Sequence, residues 1–357
     1  MSEKKRIIFH IDMDHFYTAL EEREHVEYKG KPVVVGADPK EGKGRGVVST
    51  SNYEARKTGV RSGMPISRAW KICPEAIYLP PNFPLYIKVS KEIMEIVRQY
   101  ADKFEPWGID EAFLDVSAKV KDYTEAGALA KQLKREIKEK EKLTCSIGVG
   151  PNKLIAKIAS DYQKPDGLTI VKDDEAEAFL APLPVRKLLW VGRKTEAKLK
   201  KIGINTIGDL ARYNPTVLAE AFGVMGTQMH LMSRGIDRSE VEVRTEVKSI
   251  SHETTFEEDT NDAEAVLKAL DALAAEVSKE LKAQKLFFKT VTVKVRYANF
   301  ETHTRSKTLP FITNRLRDLQ KMVRELLKAY LKNNRKIRLI GVRVSSFVKG
   351  EKQKTLM

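Results

Sequence analysis

Ile11-Asp12-Met13-Asp14-His15-Phe16-Tyr17 closes the first apolar run of the chain, and Gly108-Ile109-Asp110-Glu111-Ala112-Phe113-Leu114-Asp115 follows the same pattern much later. In both, a strand rich in Ile and Phe gives way to carboxylates with no Lys or Arg beside them in sequence. Three such groups, Asp12, Asp110 and Glu111, cannot all stay ionised in a partly dehydrated site without cations, and hard oxygen ligands select Mg²⁺ or Mn²⁺ over softer metals. Two ions about 3.5–4 Å apart clamp the attacking and leaving oxygens of an in-line phosphoryl displacement. The expectation is two divalent cations held at a strand edge.

Outward from these stretches, residues 6–11 alternate as a strand, with Ile7, Phe9 and Ile11 on one face and Ile8, His10 and Asp12 on the other. A helix is expected near Asp14, a buried strand at Pro32–Gly36, a glycine-rich loop at 37–46 and a helix beginning near Thr50. Amphipathic helices are predicted over about 84–101 and 123–141, with strands at Phe113–Val116 and Thr144–Val149, the order of a split βαβ sheet and an α+β fold. From Asp173 to Gly235 the pattern is helical, and residues 234–246 are polar and aperiodic, as in a linker. A last α+β unit follows, with helices near 261–283 and 313–331 and a final strand near 336–348.

With 357 residues, the chain exceeds one ordinary core at about 150 residues per domain. No apolar run reaches the roughly 18 residues needed to span a bilayer, and Met1-Ser-Glu-Lys-Lys-Arg6 leads straight into a strand, so a cytoplasmic protein is expected. Two cysteines, Cys73 and Cys145, exclude a disulfide framework or a zinc site and are expected to be buried. The net charge of +15 favours a polyanionic partner, nucleic acid above all. From Val247 to Met357 there are 23 Lys and Arg against 13 Asp and Glu, so the last third holds ten of the fifteen surplus charges.

Thr50, Tyr53 and Arg56 recur every third residue and so share a helix face, where a hydroxyl, a phenol and a guanidinium would grip phosphate beside the free N–H groups of a helix start. An ordinary solvated face fits the same spacing. Lys157 follows a strand and a glycine turn, Ser146-Ile-Gly-Val-Gly-Pro-Asn-Lys153, and is expected to reach a triphosphate as a point charge. Phe16 and Tyr17 make either an aromatic wall under a nucleotide sugar or core packing.

Asp12-Met-Asp-His-Phe-Tyr17, Thr50-Ser-Asn-Tyr-Glu-Ala-Arg56, Ser62-Gly-Met-Pro65, Ile109-Asp-Glu-Ala-Phe-Leu-Asp115, Ser146-Ile-Gly-Val-Gly-Pro-Asn-Lys153 and Lys164-Pro-Asp-Gly167 together resemble the Y-family translesion DNA polymerases of the polymerase IV (DinB-like) branch. The resemblance implies a right-hand polymerase: a ferredoxin-like palm (1–15 and 82–171), small fingers (16–81), a helical thumb with a helix-hairpin-helix (172–236), a linker (237–246), an α+β little finger (247–350) and a tail (351–357). It implies Asp12, Asp110 and Glu111 as catalytic metal carboxylates with the Met13 carbonyl as a further ligand. Tyr17 would be the steric gate against a ribose 2′-OH, and Phe16, Thr50, Tyr53, Arg56 and Lys157 would lie at the nucleotide. The expected reaction is DNA-templated transfer of dNMP to a primer 3′-OH by a monomer lacking a proofreading exonuclease. Two departures from the family pattern stand out. Gly108 replaces the usual Ser before Ile-Asp-Glu, and Trp190 replaces the first glycine of the hairpin turn, leaving only Gly192 and putting close phosphate approach in doubt.

In Phe288–Tyr297, Val291, Val293 and Val295 alternate with Thr290, Thr292, Lys294 and Arg296, and Arg343 alternates with Val342 and Val344. Lys294, Arg296 and Arg343 are thus expected on a DNA-facing sheet surface, with a merely solvated surface as the other reading. Gln353 and Leu356 resemble the start of a sliding-clamp-binding peptide without its aromatics: either the segment is cut short or it is only a charged end. The rival readings are a nucleotide cyclase, which needs no basic C-terminal domain, and a DNA-binding scaffold with structural carboxylates.

Overall fold

The computed structural model describes residues 6–243, 246–331 and 335–349. Along the chain run β1 (Ile8–Met13), α1 (Phe16–Glu24), β2 (Val33–Gly36), β3 (Val48–Ser51), α2 (Tyr53–Lys57), α3 (Ile66–Ile72), β4 (Ile77–Leu79), α4 (Phe83–Gln99), β5 (Lys103–Pro106), β6 (Glu111–Asp115), α5 (Tyr123–Glu141), β7 (Cys145–Gly150), α6 (Lys153–Ser160) and β8 (Leu168–Ile170). Five short helices follow: α7 (Ala176–Leu180), α8 (Arg193–Lys201), α9 (Ile207–Arg212), α10 (Pro215–Phe222) and α11 (Val224–Ser233). The remainder comprises β9 (Ser249–Thr260), α12 (Ala263–Ala283), β10 (Leu286–Tyr297), β11 (Thr302–Thr313), α13 (Leu316–Leu331), β12 (Ile337–Ser345) and β13 (Val348–Lys349). The described chain separates into two compact units at Arg244/Thr245.

In the first unit the central sheet has the order β5-β6-β1-β7-β8. β1 is antiparallel to both β6 and β7, so β1-α4-β5-β6-α5-β7 is a ferredoxin-like split βαβ. The alternation of β1 sends Phe9, Ile11 and Met13 into a core with Val89, Ile93 and Val97 of α4 and Ala130, Leu133 and Ile137 of α5. α5 owes its clean start to Asp122, whose carboxylate accepts from the N–H groups of Thr124 and Glu125, and it stops at Lys142 in a left-handed backbone. On the opposite face, Ile8 meets Phe113 and Ala156.

What brings α6 so close to that face is Gly148. A Cβ there would stand 2.0 Å from the Ala156 carbonyl oxygen and 2.3 Å from the Ser160 nitrogen, so only a residue without a side chain lets helix and strand touch. A smaller sheet, β3-β2-β4, carries its own core of Val34, Val48, Ala55, Val60, Ile66 and Ala69. Helices α7–α11 enclose Leu180, Leu199, Ile207, Leu210 and Met229, in one cluster with Leu154, Ile155 and Ile158 of α6. Residues 237–242 lie against the central sheet's surroundings: Asp237 accepts from the Leu154 N–H, and the Glu242 N–H donates to Glu105.

The second unit is a four-stranded sheet of order β11-β10-β12-β9, antiparallel throughout, with β13 beside β10. Val291, Val293, Val295, Val342 and Val344 are buried against α12 and α13, while Thr290, Thr292, Lys294, Arg296 and Arg343 occupy the alternate positions.

Candidate active site

The carboxylates meet because β1 and β6 are paired in register. Asp12 lies directly opposite Glu111, and the Met13 N–H donates to the Asp110 carbonyl oxygen at 2.9 Å. The loop carrying Asp110 is fixed from the other side by the Ser90 hydroxyl of α4, which donates to the Ile109 carbonyl. Ligand atoms of His10, Asp12 and Glu111 all lie within 4.8 Å of one another. Asp110 registers this crowding: burial, then the charges of Asp12 and Glu111, push its carboxyl up to about 6.

Two lysines remote in sequence stand among these carboxylates. Lys157 on α6 places its ammonium 3.2 Å from Asp12 Oδ2 and also on Glu111 Oε2. Lys164 sits 2.6 Å from Asp12 Oδ1 and 3.1 Å from Asp161. Burial opposes charge on Glu111, but His10 and Lys157 outweigh it and bring the carboxyl down to about 2. Both lysines keep their protons more tightly than usual despite burial, because Asp12 faces each of them. The absence of a sequence-local cation is thus made good by tertiary structure, and the countercharge in this state is ammonium. Lys157 is on the carboxylates, where the sequence suggested a triphosphate contact. Lys164, present in the Lys-Pro-Asp-Gly segment, was not singled out, and nothing in its local sequence says that it folds back onto Asp12.

The neighbouring acid, Asp14, does different work. It is buried and accepts from Thr144 Oγ1, Ser146 Oγ and the Asp166 N–H, all at 2.8 Å, fastening the end of β1 to β7 and the following turn. Tyr17 stacks on Tyr86 at 4.4 Å between ring centres and meets Phe83 edge-on, remaining half-buried, whereas Phe16 is wholly inside the core. Phe16 therefore follows the packing reading and gives no wall to a sugar.

Thr50 is not at a helix start. It lies on β3, paired with Val35 of β2, and the helix begins at Tyr53 with Asn52 as its cap, its side chain accepting from the Ala55 N–H. Strand pairing overrides the three-residue spacing, and α2 spans only five residues. Tyr53 and Arg56 do meet, the guanidinium lying 4.8 Å over the ring while its Nε donates to the Ser51 carbonyl. The buried Tyr53 hydroxyl has no hydrogen-bond partner among the described residues, and burial pushes it up to about 12.

At the hairpin turn Trp190 takes the backbone expected of the glycine it replaces. Trp190 adopts φ +70°, the left-handed backbone that glycine takes most easily, while Gly192 at φ −82° caps α8 in a conformation open to any residue. The indole is largely exposed and meets Trp107 edge-on at 6.4 Å. At Gly108 a Cβ would make ordinary contact, 3.5 Å from Glu111 Cγ, so the space at this position does not itself require glycine. On the second unit's sheet Lys294 is held by Glu253 at 2.6 Å, Arg296 donates to Thr302, and Arg343 is exposed.

Residues 11–161 match the impB/mucB/samB family, residues 247–356 its C-terminal domain, and residues 187–237 the DNA polymerase-iota thumb domain. DNA polymerase IV of Methanoculleus marisnigri is 50% identical over 97% of this chain and 95% of its own length. The chain belongs to the Y-family DNA polymerases. The polymerase is also 45% identical to DNA polymerase IV 2 of Methanosarcina mazei over 100% of this chain and 96% of that one. Among solved structures, a Y-family DNA polymerase chimera, Dbh-Dpo4-Dbh, aligns with a TM-score of 0.88 at 32% identity, covering 96% of this chain and all of that one. DinB from Sulfolobus solfataricus aligns at 0.64 and 31% identity, over 97% of this chain and all of that one. As a DinB-like member of the family, the polymerase is a DNA-directed DNA polymerase of the translesion type, with the α+β right-hand fold expected of it. Its matches to thumb and C-terminal domains leave the cyclase reading without support. The family's chemistry uses divalent metal, and the donor set fits it: Asp12 and Glu111 between them already hold two ammonium groups, and their charges are felt by Asp110.

Proposed function

We propose that this polymerase adds dNMP from a dNTP to the 3′-OH of a primer on template DNA, releasing pyrophosphate, with Asp12, Asp110, Glu111 and the Met13 carbonyl holding two Mg²⁺ ions that Mn²⁺ can replace. The single observation that carries this reading is Asp12 directly opposite Glu111, beside an Asp110 whose carboxyl is raised by burial first and by their charges second. Bound cations would make the 3′-OH more acidic and neutralise charge on the transferring phosphate. Lys157 and Lys164, displaced from the carboxylates, would turn to the triphosphate, joined by Arg56 and the unpartnered Tyr53 hydroxyl. Tyr17, pinned flat against Tyr86, is rigid enough to reject a ribose 2′-OH by contact.

In this reading the palm comprises 1–15 and 82–171, the fingers 16–81, the thumb 172–236, the linker 237–246 and the little finger 247–350. The little finger and the fingers' small sheet have apolar clusters of their own, while the palm shares one cluster with Phe16, Leu20 and Val35 and another, through α6, with the thumb helices. Gly192, at the uncapped start of α8, would approach a DNA phosphate, and Arg296, Arg343 and, less freely, Lys294 would grip the duplex backbone. The protein works as a monomer in the cytoplasm. Among the described residues no helix is long and apolar enough to cross a membrane. Residues 351–357, for which the sequence leaves open a cut-short clamp-binding peptide or a charged end, lie outside the described residues.

The test is Asp110→Ala. Primer extension should fall below detection while primer-template affinity stays within about twofold, and retained extension would remove Asp110 from the chemistry. Tyr17→Ala should raise ribonucleotide incorporation at least tenfold relative to dNMP, on the order of 1.4 kcal/mol of lost discrimination. Unchanged rNTP use would reassign Tyr17 to packing alone.

A further inference from the structure

His10 is fully buried, two residues before Asp12 on the same face of β1, and no part of the mechanism above uses it. Its Nδ1 lies 2.7 Å from Ser160 Oγ, at the end of α6. Its Nε2 lies 3.1 Å from Glu111 Oε2, off the line of a hydrogen bond, and among the described residues this buried nitrogen has no hydrogen-bond partner. The ring leans on Phe113 at 4.6 Å, which limits its rotation. Gly148, opposite His10 in the β1–β7 register, is what allows α6 close enough for Ser160 to reach the ring.

The proton count in this chain of groups is restrictive. An uncharged imidazole has one N–H, and a carboxylate only accepts, so contact with Glu111 selects the tautomer protonated on Nε2. Ser160 Oγ lies within reach of both Nδ1 and the Lys157 carbonyl oxygen, the latter at 2.8 Å, and has a single proton to give. Donated to Nδ1, that proton leaves the ring with its own on Nε2, beside Oε2.

We propose that His10 is a positioning residue for Glu111: its unpartnered Nε2–H, kept on that nitrogen by the Ser160 hydroxyl, takes Oε2 when Lys157 leaves and turns Oε1 toward the cation. Lys157 holds the same Oε2 in the present state. Once a triphosphate draws that ammonium away, His10 is the remaining donor on Oε2. An imidazole N–H braced behind a ligating carboxylate orients it and tunes its donor strength, and the loss of such a brace costs about 10–100-fold in metal affinity. The inference rests on the reading of Glu111 as a metal carboxylate.

The experiment is Mn²⁺ binding to the full-length protein, followed by electron paramagnetic resonance, with thermal melts as a check on folding. Glu111→Gln is the control: if it binds Mn²⁺ as the parent does, the metal reading of Glu111 fails, whatever His10 does. Given a weakened Glu111→Gln, His10→Leu should lose about tenfold in affinity. His10→Gln, whose amide N–H reaches the Nε2 position, should stay within about threefold, and Ser160→Ala should fall between the two. If His10→Leu does not fold, His10→Asn replaces it, since its amide reaches only the Nδ1 position. Parental affinity in the Leu or Asn variant, or equal losses in the Gln and Leu variants, overturns the proposal. So does ¹⁴N coupling to bound Mn²⁺ that vanishes in His10→Gln, because His10 would then be a direct ligand.

Discussion

Asp12 and Asp14 stand two residues apart on one strand end and differ in everything but chemistry. Asp14 has its acceptor capacity filled by Thr144, Ser146 and the Asp166 N–H. Asp14→Ala should therefore cost about 2–3 kcal/mol in urea unfolding, mostly from the buried donors left behind. Asp12 was legible in the sequence because a carboxylate after an apolar strand with no local cation demands one. Asp14 was not, since its partners lie more than a hundred residues away. The same holds for His10 and Lys164, whose roles come from what folds against them. The cysteines were simpler, since an unpaired Cys behaves as a small hydrophobe. Both are fully buried, and burial pushes the Cys145 thiol up to about 12. The thiolate is the reactive form, so at pH 8 neither should react with a thiol reagent in the native protein, and both should react once it is denatured.

At the level of elements, reading succeeded where local signals were strong. The helix expected over 123–141 has those limits because Asp122 caps it and Lys142 ends it. It failed at Thr50, where β2 captured the residue into a strand before any helix could form. The most consequential contact between elements is α6 on β7. Gly148→Ala should prevent folding or cost more than about 3 kcal/mol in urea, since the clash is with helix backbone and cannot be relieved by a rotamer. The hairpin before α8 gives the opposite sign. Trp190 holds a left-handed backbone at a cost of about 1–2 kcal/mol while burying little of its ring. Trp190→Gly should raise stability by about 1 kcal/mol, set against unfolded-state entropy, and should tighten primer-template binding by opening the turn to phosphate. Weaker binding would show that the indole itself touches DNA.

Across the whole molecule the charge is concentrated where a second, separately packed unit presents hydroxyls and cations on the face away from its helices. Binding to a duplex backbone through that face releases counterions, so affinity should fall steeply with salt. Replacing Arg296 and Arg343 together by Ala should lessen the slope of log K against log salt by about 2, while Lys294→Ala changes it less because Glu253 already engages that ammonium. Asp110→Ala should leave the slope alone. The lysines seated on the acidic cluster have a consequence for handling the enzyme. A tethered ammonium cannot be dialysed away, so the acidic cluster carries its own neutralising ballast. Exhaustive chelation should silence synthesis yet leave the melting temperature within about 2 °C of its starting value, unlike domains whose fold depends on a structural ion. The ion would then serve the reaction alone and leave the scaffold to its own side chains.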